Sequence, residues 1–201
     1  MKRLAVLASG NGTNLQAIID NIRKGALRGA RVVLVVSDRE KARALRRAAA
    51  AGIPASFEDP RKFPGRAAYD GHLVKVLRKA RVDYVVLAGF MRILSPVFVR
   101  AFKNRVLNIH PALLPAFRGT DSIARAHRYG VRVTGVTVHF VDEKTDNGPV
   151  ILQEAVAVRD TDSVAALEAR IHRVEHRLYT QALQKLAAGR LRVRGRRVLT
   201  R

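Results

Sequence analysis

The chain has 201 residues, 48% of them hydrophobic, enough for one full core and the size of a single domain. It has no cysteine, which excludes disulfides and thiolate metal sites, and no uncharged apolar run long enough to cross a membrane as a helix. Thirty-eight Lys and Arg against sixteen Asp and Glu give a net charge of +22, a field that attracts anionic metabolites or nucleic acid.

The first apolar run, residues 4–8, is too short for an export signal and meets Ser9-Gly10-Asn11-Gly12 with no cleavage pattern. It reads as a first strand, and the protein as cytoplasmic. Leu15, Ile18, Ile19 and Ile22 mark one face of a helix. Residues 31–37 are β-branched and too few for a helix, so they read as a buried strand. Asp38 is placed to cap an Ala-rich helix over about 40–51, ended by Gly52. A third strand over 53–57, a loop with two prolines over 59–65 and a helix over 66–80 follow, with Leu73, Val76 and Leu77 inward. Residues 82–89 make a fourth strand, Ser95 caps a short helix opened by Pro96, and 105–109 make a fifth strand. Residues 111–119 form an irregular proline-rich loop before a helix over 122–129.

From Val131 the period changes to two, predicting an antiparallel strand–loop–strand over 133–140 and 150–158. Ser163 opens a long helix to about 188, with Val164, Leu167, Ile171, Val174, Leu178 and Ala182 in one stripe and Gly189 after it. Leu191-Arg192-Val193 and Val198-Leu199 flank Gly195 as a basic hairpin or an edge strand. The pattern predicts an α/β fold. Its Rossmann-like open sheet is mixed but mainly parallel, with helices on both faces; residues 1–189 form the catalytic domain and 190–201 a basic tail. Ligands in such sheets sit beyond the carboxyl ends of the strands, so the loops after Ala8, Gly89 and Ile109 should converge.

Two groups of residues carry chemistry. In Leu107-Asn108-Ile109-His110-Pro111, Asn108 and His110 are two apart on a strand and leave the same face. With Asp146 of Asp146-Asn147-Gly148-Pro149 they supply an amide donor, an imidazole and a carboxylate, the parts of an acyl-transfer site. Each alone has a plain alternative, a strand-end histidine or a turn aspartate. The second group, residues 9–15, joins the first strand to the first helix; its glycines let backbone N–H groups approach an anion. It lacks the Gly-Lys-Ser/Thr of a Walker loop, and a tight turn with Asn11 and Thr13 as caps explains it equally well. His139 reads as a strand histidine beside the site rather than a member of it.

Ser9-Gly10-Asn11-Gly12-Thr13-Asn14-Leu15-Gln16, Ala88-Gly89-Phe90-Met91-Arg92-Ile93-Leu94, Asn108 through Pro115, and Val138-His139-Phe140-Val141 on to Pro149 occur in that order. Together these motifs make the chain resemble the phosphoribosylglycinamide formyltransferases, folate-dependent enzymes of purine synthesis, over about residues 2–190. The resemblance implies the formyltransferase fold and transfer of the formyl group of 10-formyltetrahydrofolate, a co-substrate, to the amine of glycinamide ribonucleotide. It implies Asn108, His110 and Asp146 as catalytic residues and Gly12, Thr13 and Asn14 at the substrate phosphate, with His172, Arg173, Val174 and Glu175 on the nucleotide substrate. For the folate it implies Arg66, Met91, Arg92, Ile93, Leu94, Asn108, Val141, Asp142, Glu143, Lys144, Thr145 and Asp146. No metal is implied.

One departure stands out. Residues 120–125 hold no histidine where that family carries one or two, which leaves Asp121 as the candidate to support Asp146. The segment Phe117-Arg118-Gly119 leans toward the methionyl-tRNA formyltransferases, relatives with the same catalytic set. A further rival is a basic nucleic-acid-binding module contacting its ligand through residues 190–201. The basic residues are scattered and aromatics are thin among them, so the charge reads as a steering field, with no specific nucleic-acid partner and no membrane partner. The sequence leaves a homodimer open.

Overall fold

Five parallel strands, β1 (Lys2–Leu7), β2 (Ala30–Ser37), β3 (Ala55–Phe57), β4 (Tyr84–Leu87) and β5 (Val106–His110), alternate with α1 (Thr13–Arg23), α2 (Arg43–Ala50), α3 (Arg66–Lys79) and α4 (Pro96–Ala101). After α5 (Ser122–Tyr129), β6 (Val133–Phe140) pairs antiparallel with both β5 and β7 (Val150–Ala157). The long α6 (Val164–Ala187) leads to a hairpin, β8 (Leu191–Arg194) and β9 (Arg197–Thr200). This computed structural model describes residues 1–200, and within them one sheet of nine strands runs in the order β3-β2-β1-β4-β5-β6-β7-β9-β8. Among the described residues no helix is long and apolar enough to cross a membrane.

Period-two alternation gives the sheet two buried faces. In β1, Leu4 and Val6 enter one core with Leu15 and Ile18 of α1 and Leu178 and Ala182 of α6. Ala5 and Leu7 enter the other with Tyr69 and Leu73 of α3 and Phe98 of α4. The chain passes from β1 outward to β3 and returns to the other side of β1 as β4, so the strand order reverses between β1 and β4. A crevice opens at such a reversal because the flanking connections leave toward opposite faces.

Three local expectations are corrected. Asp38 does not cap α2, which begins at Arg43 with Ala42 at its cap and no side-chain bond there. The Ser37 hydroxyl instead donates to the Arg39 carbonyl (3.0 Å) and accepts from its N–H (3.1 Å), while the Ala44 N–H goes to Gly10 O (3.1 Å). That acceptor comes from the loop after β1, where no local pattern reveals it. Pro96 does open α4, but the Ser95 hydroxyl bonds nothing, and the Ser95 N–H donates to buried Asp70 of α3 at 2.5 Å. Val164 leaves the apolar stripe of α6 and is 38% exposed, while Leu167, Ile171, Leu178 and Ala182 are buried as expected. The tail is both things the sequence allowed, a hairpin whose β9 joins the edge of β7 at Val150↔Arg197.

Tyr179 of α6 is buried, and its hydroxyl lies 2.9 Å from Leu87 O and 3.0 Å from Leu107 O. One side chain thus ties the helix to the end of β4 and the first half of β5, two adjacent strands that lead into the crevice. Burial drives its phenol well above the ordinary tyrosine range, so it stays a neutral donor. Tyr179→Phe is expected to lower stability by about 1–2 kcal/mol, the cost of leaving buried carbonyls without their donor, read as a lower urea midpoint at unchanged m-value.

Candidate active site

β5 is central, and its last turn of pleat aims Asn108 and His110 into the crevice. Its antiparallel register with β6 pairs Asn108 with His139 and His110 with Thr137. Directly opposed residues share a face, so His139 enters the site and is not merely beside it. His110 and His139 are 4% and 1% exposed, which lowers the local dielectric around every charge they meet. The Asn108 amide nitrogen lies 3.3 Å from His139 Nε2 and 3.3 Å from Asp146 Oδ1, both at the long end of hydrogen-bond geometry.

Asp146 sits on the connection between β6 and β7 with φ of 47°, a left-handed backbone that aspartate tolerates better than most residues. Two residues on, a Cβ at Gly148 would lie 1.8 Å from Phe140 O, so only glycine lets this loop return against β6. The carboxylate accepts the Gly119 N–H at 2.8 Å through Oδ2, which also lies 3.4 Å from His110 Nδ1; Oδ1 is 3.7 Å from His139 Nε2. Burial raises the Asp146 pKa, but the His139 contact, the Gly119 N–H and the charge of His110 together prevail and hold it below the ordinary carboxylate value. Asp121 is not the support the sequence suggested. It occupies the left-handed cap of α5, and a backbone N–H and a strand histidine support Asp146 instead.

The acceptors fix the ring protons. His110 Nε2 faces Phe117 O at 2.9 Å and His139 Nδ1 faces Phe140 O at 2.8 Å, so each of these nitrogens carries hydrogen. The remaining His110 nitrogen looks at the Asp146 carboxylate. A second proton on this ring therefore finds an acceptor already in place.

These groups lie within a cleft of about 1240 Å³. At its other end Gly12 takes φ of 67°, and a Cβ there would lie 2.9 Å from Ala44 Cα, so the loop and α2 close on each other only through glycine. Gln16 N–H makes the first helical bond of α1, to Gly12 O, leaving the N–H groups before it at the helix start. Asn14 donates to Glu175 Oε2 (3.2 Å), while its own Oδ1 is buried with no partner. The same Glu175 oxygen meets His172 Nδ1 at 2.8 Å, and Glu168 meets His172 Nε2 at 3.4 Å. The Glu175 bond outweighs burial and raises His172 above the ordinary histidine value.

The convergence expected of the loops after β1, β4 and β5 is what the fold forms. Gly12, Thr13, Asn14, Met91, Arg92, Ile93, Leu94, Asn108, His110, Val141, Asp142, Glu143, Lys144, Thr145, Asp146, His172 and Glu175 all line the cleft. Arg66, Arg173 and Val174 do not. The first two are exposed, on α3 and on the outer side of α6, and Val174 packs against the core. Sequence reasoning missed His139, Glu168 and Arg39, which line the cleft too. Glu168 had a signal, its spacing of four before His172 on one helix face. His139 had one only once its register against Asn108 was known.

A family model described as formyl transferase matches residues 2–183. The chain is 39% identical over 186 residues to phosphoribosylglycinamide formyltransferase of Bacillus subtilis, covering 92% of this chain and 95% of that one. It superposes on the crystal structure of glycinamide ribonucleotide transformylase 1 from Symbiobacterium toebii with a TM-score of 0.97 at 48% identity, over 100% of this chain and 94% of that one. It is also 48% identical to a trifunctional purine biosynthetic protein of Drosophila pseudoobscura; the match takes in 95% of this chain and 14% of that longer one.

Because the lowered pKa of Asp146 stabilises the fold wherever the carboxylate is charged, its contribution is complete above the unfolded value of about 3.9 and is lost as pH falls through the folded value. Urea unfolding of wild type and Asp146→Asn should therefore differ by a constant amount from pH 7 to about 5, and the difference should shrink as pH falls below about 3.9. Gly148→Ala should keep the overall circular dichroism of the fold but displace Asp146, with kcat down about 100-fold.

Proposed function

The chain belongs to the formyl transferase family, and we propose that it transfers the formyl group of 10-formyltetrahydrofolate to the amine of glycinamide ribonucleotide, giving formylglycinamide ribonucleotide and tetrahydrofolate. The observation that carries this reading is the meeting of Asn108, His110 and Asp146 at the wall of a cleft of about 1240 Å³, room for two substrates. The start of α1, with Gly12, Thr13 and Asn14, takes the nucleotide phosphate, and Glu175 with His172 takes its polar sugar and amide groups. The segment from Met91 to Leu94 and the loop from Val141 to Asp146 take the folate. Met91 and Ile93 are 63% and 58% exposed, apolar surface that a flat heteroaromatic ring would cover. Arg66, outside the cleft, remains within the reading only as a contact for the distal, acidic end of the folate.

In the proposed reaction the amine nitrogen forms a bond to the formyl carbon and the carbonyl electrons move onto oxygen. The Asn108 amide gives up one of its two 3.3 Å partners to donate to that oxyanion, while the His110 imidazolium, its two N–H groups directed at Phe117 O and Asp146, stabilises it by charge. Asp146 Oδ2, 3.4 Å from His110 Nδ1, is the acceptor for the second proton of that imidazolium. As the bond from carbon to the folate nitrogen breaks, that nitrogen takes the proton lost by the amine, carried past the Asp146 carboxylate. His139 stays beside the other carboxylate oxygen, its Nε2 3.7 Å from Oδ1. None of these roles calls on a metal.

Residues 1–189 are the catalytic domain in this reading, and 190–201 a basic tail tied to it by the Arg196 guanidinium, which donates to Asn147 O at 2.8 Å. The charge of +22 steers two anionic substrates inward, and we assign it no specific nucleic-acid partner. We propose that the enzyme works in the cytoplasm.

The purified protein should form formylglycinamide ribonucleotide from 10-formyltetrahydrofolate and glycinamide ribonucleotide, and should not formylate charged initiator tRNA or use formate with ATP. Asn108→Ala should reduce kcat about 100- to 1000-fold with little change in KM, the usual effect of losing an oxyanion donor. Turnover with charged tRNA alone would reject the assignment.

A further inference from the structure

The start of α1 offers a phosphate only backbone N–H groups and about half a positive charge. A phosphate dianion in a cleft of this depth calls for a full cation as well, and residues 9–15 contain none. Two arginines stand near. Arg47 of α2 is committed to building the loop, donating through Nε to Asn11 O at 2.8 Å and through Nη1 to Gln16 Oε1 at 3.0 Å. Arg39 lines the cleft, and its guanidinium has neither a hydrogen bond nor an ion pair among the described residues.

The sheet puts Arg39 in the right place. β1 pairs in parallel with β2 through Leu7↔Val36, so Gly10 and Arg39, each three residues further on, leave adjacent strands side by side. The two-way bond between Ser37 Oγ and the Arg39 backbone pins the turn, and Ala44 N–H on Gly10 O holds the two connections together. Neither neighbouring acid neutralises it: Asp38 and Glu40 form no ion pair or side-chain hydrogen bond with the Arg39 guanidinium among the described residues. Across the cleft, Glu175 is engaged by Asn14 and His172, and Glu168 by His172.

We propose that Arg39 is the counter-cation for the substrate phosphate, closing over it from β2 while the N–H groups of α1 hold it from β1. This rests on the assignment of the phosphate to residues 12–14 and adds the side chain that makes the site selective for a phosphorylated substrate. Steady-state kinetics with three probes test it: glycinamide ribonucleotide, the phosphate-free glycinamide riboside, and inorganic phosphate as a competitive inhibitor. Arg39→Ala should raise KM for the ribonucleotide and Ki for inorganic phosphate about tenfold each and leave KM for the riboside unchanged, and Arg39→Lys should recover part of both losses. If inorganic phosphate competes in the wild type but Arg39→Ala changes neither KM nor Ki, Arg39 is not the phosphate cation and the assignment to residues 12–14 stands. If inorganic phosphate does not compete and the riboside binds as well as the ribonucleotide in the wild type, the phosphate assignment itself falls, and Arg39 with it.

Discussion

A single carboxylate, held in a left-handed turn, organises one end of the cleft of this protein. Asp146 receives the Gly119 N–H and stands against both His110 and His139, so the strand β5, the proline-rich loop that follows it and the β6–β7 connection are fixed relative to one another by one group. Burial alone would favour its neutral form. The donors around it reverse that preference, which means the site is charged as built and needs no reorganisation to become so. Networks of this kind depend on every member, because in low dielectric a lost partner leaves a charge that nothing screens.

The second dependence is on strand order. The reversal between β1 and β4 opens the crevice, and the antiparallel return of β6 beside β5 closes its far side with His139. The cleft is thereby divided by chemistry. Backbone N–H groups and basic side chains lie at the α1 end, carboxylates of α6 beside them, apolar Met91 and Ile93 exposed, and Asn108, His110, His139 and Asp146 together at the end of β5. The division suits the proposed pair of substrates, one carrying phosphate and the other an aromatic ring, meeting over Asn108.

Glycine is indispensable at two points in this arrangement, for steric reasons. At Gly12 the loop after β1 presses on Ala44, and at Gly148 the loop carrying Asp146 presses on the Phe140 carbonyl. Each close approach sets one end of the cleft. Tyr179 does comparable work from behind, its hydroxyl joining β4 and β5 from the helix that also presents Glu175 and His172. The chemistry at the front therefore rides on a rigid sheet and one long helix, while the mobile-looking polar side chains are held by partners on other strands.

Much was legible before any coordinates. Alternation of short β-branched runs with helical stripes determined a parallel α/β sheet, the change to period two at Val131 determined the antiparallel pair, and spacing alone placed Asn108 and His110 on one face, because side-chain direction follows local backbone geometry. Asp146 was legible with them as the carboxylate that completes an acyl-transfer set, and the family motifs agreed. What only the tertiary structure decided involves residues far apart in the chain. His139 joined the site through a cross-strand register, Gly119 rather than Asp121 became the support of Asp146, and α2 took its first acceptor from Gly10 rather than from Asp38. Arg39 was unremarkable as one of thirty-eight basic residues until the β1–β2 register set it beside Gly10. Local pattern fixes which way a side chain leaves its own element; which groups it meets there depends on how distant elements pack, and that is set by the whole core at once.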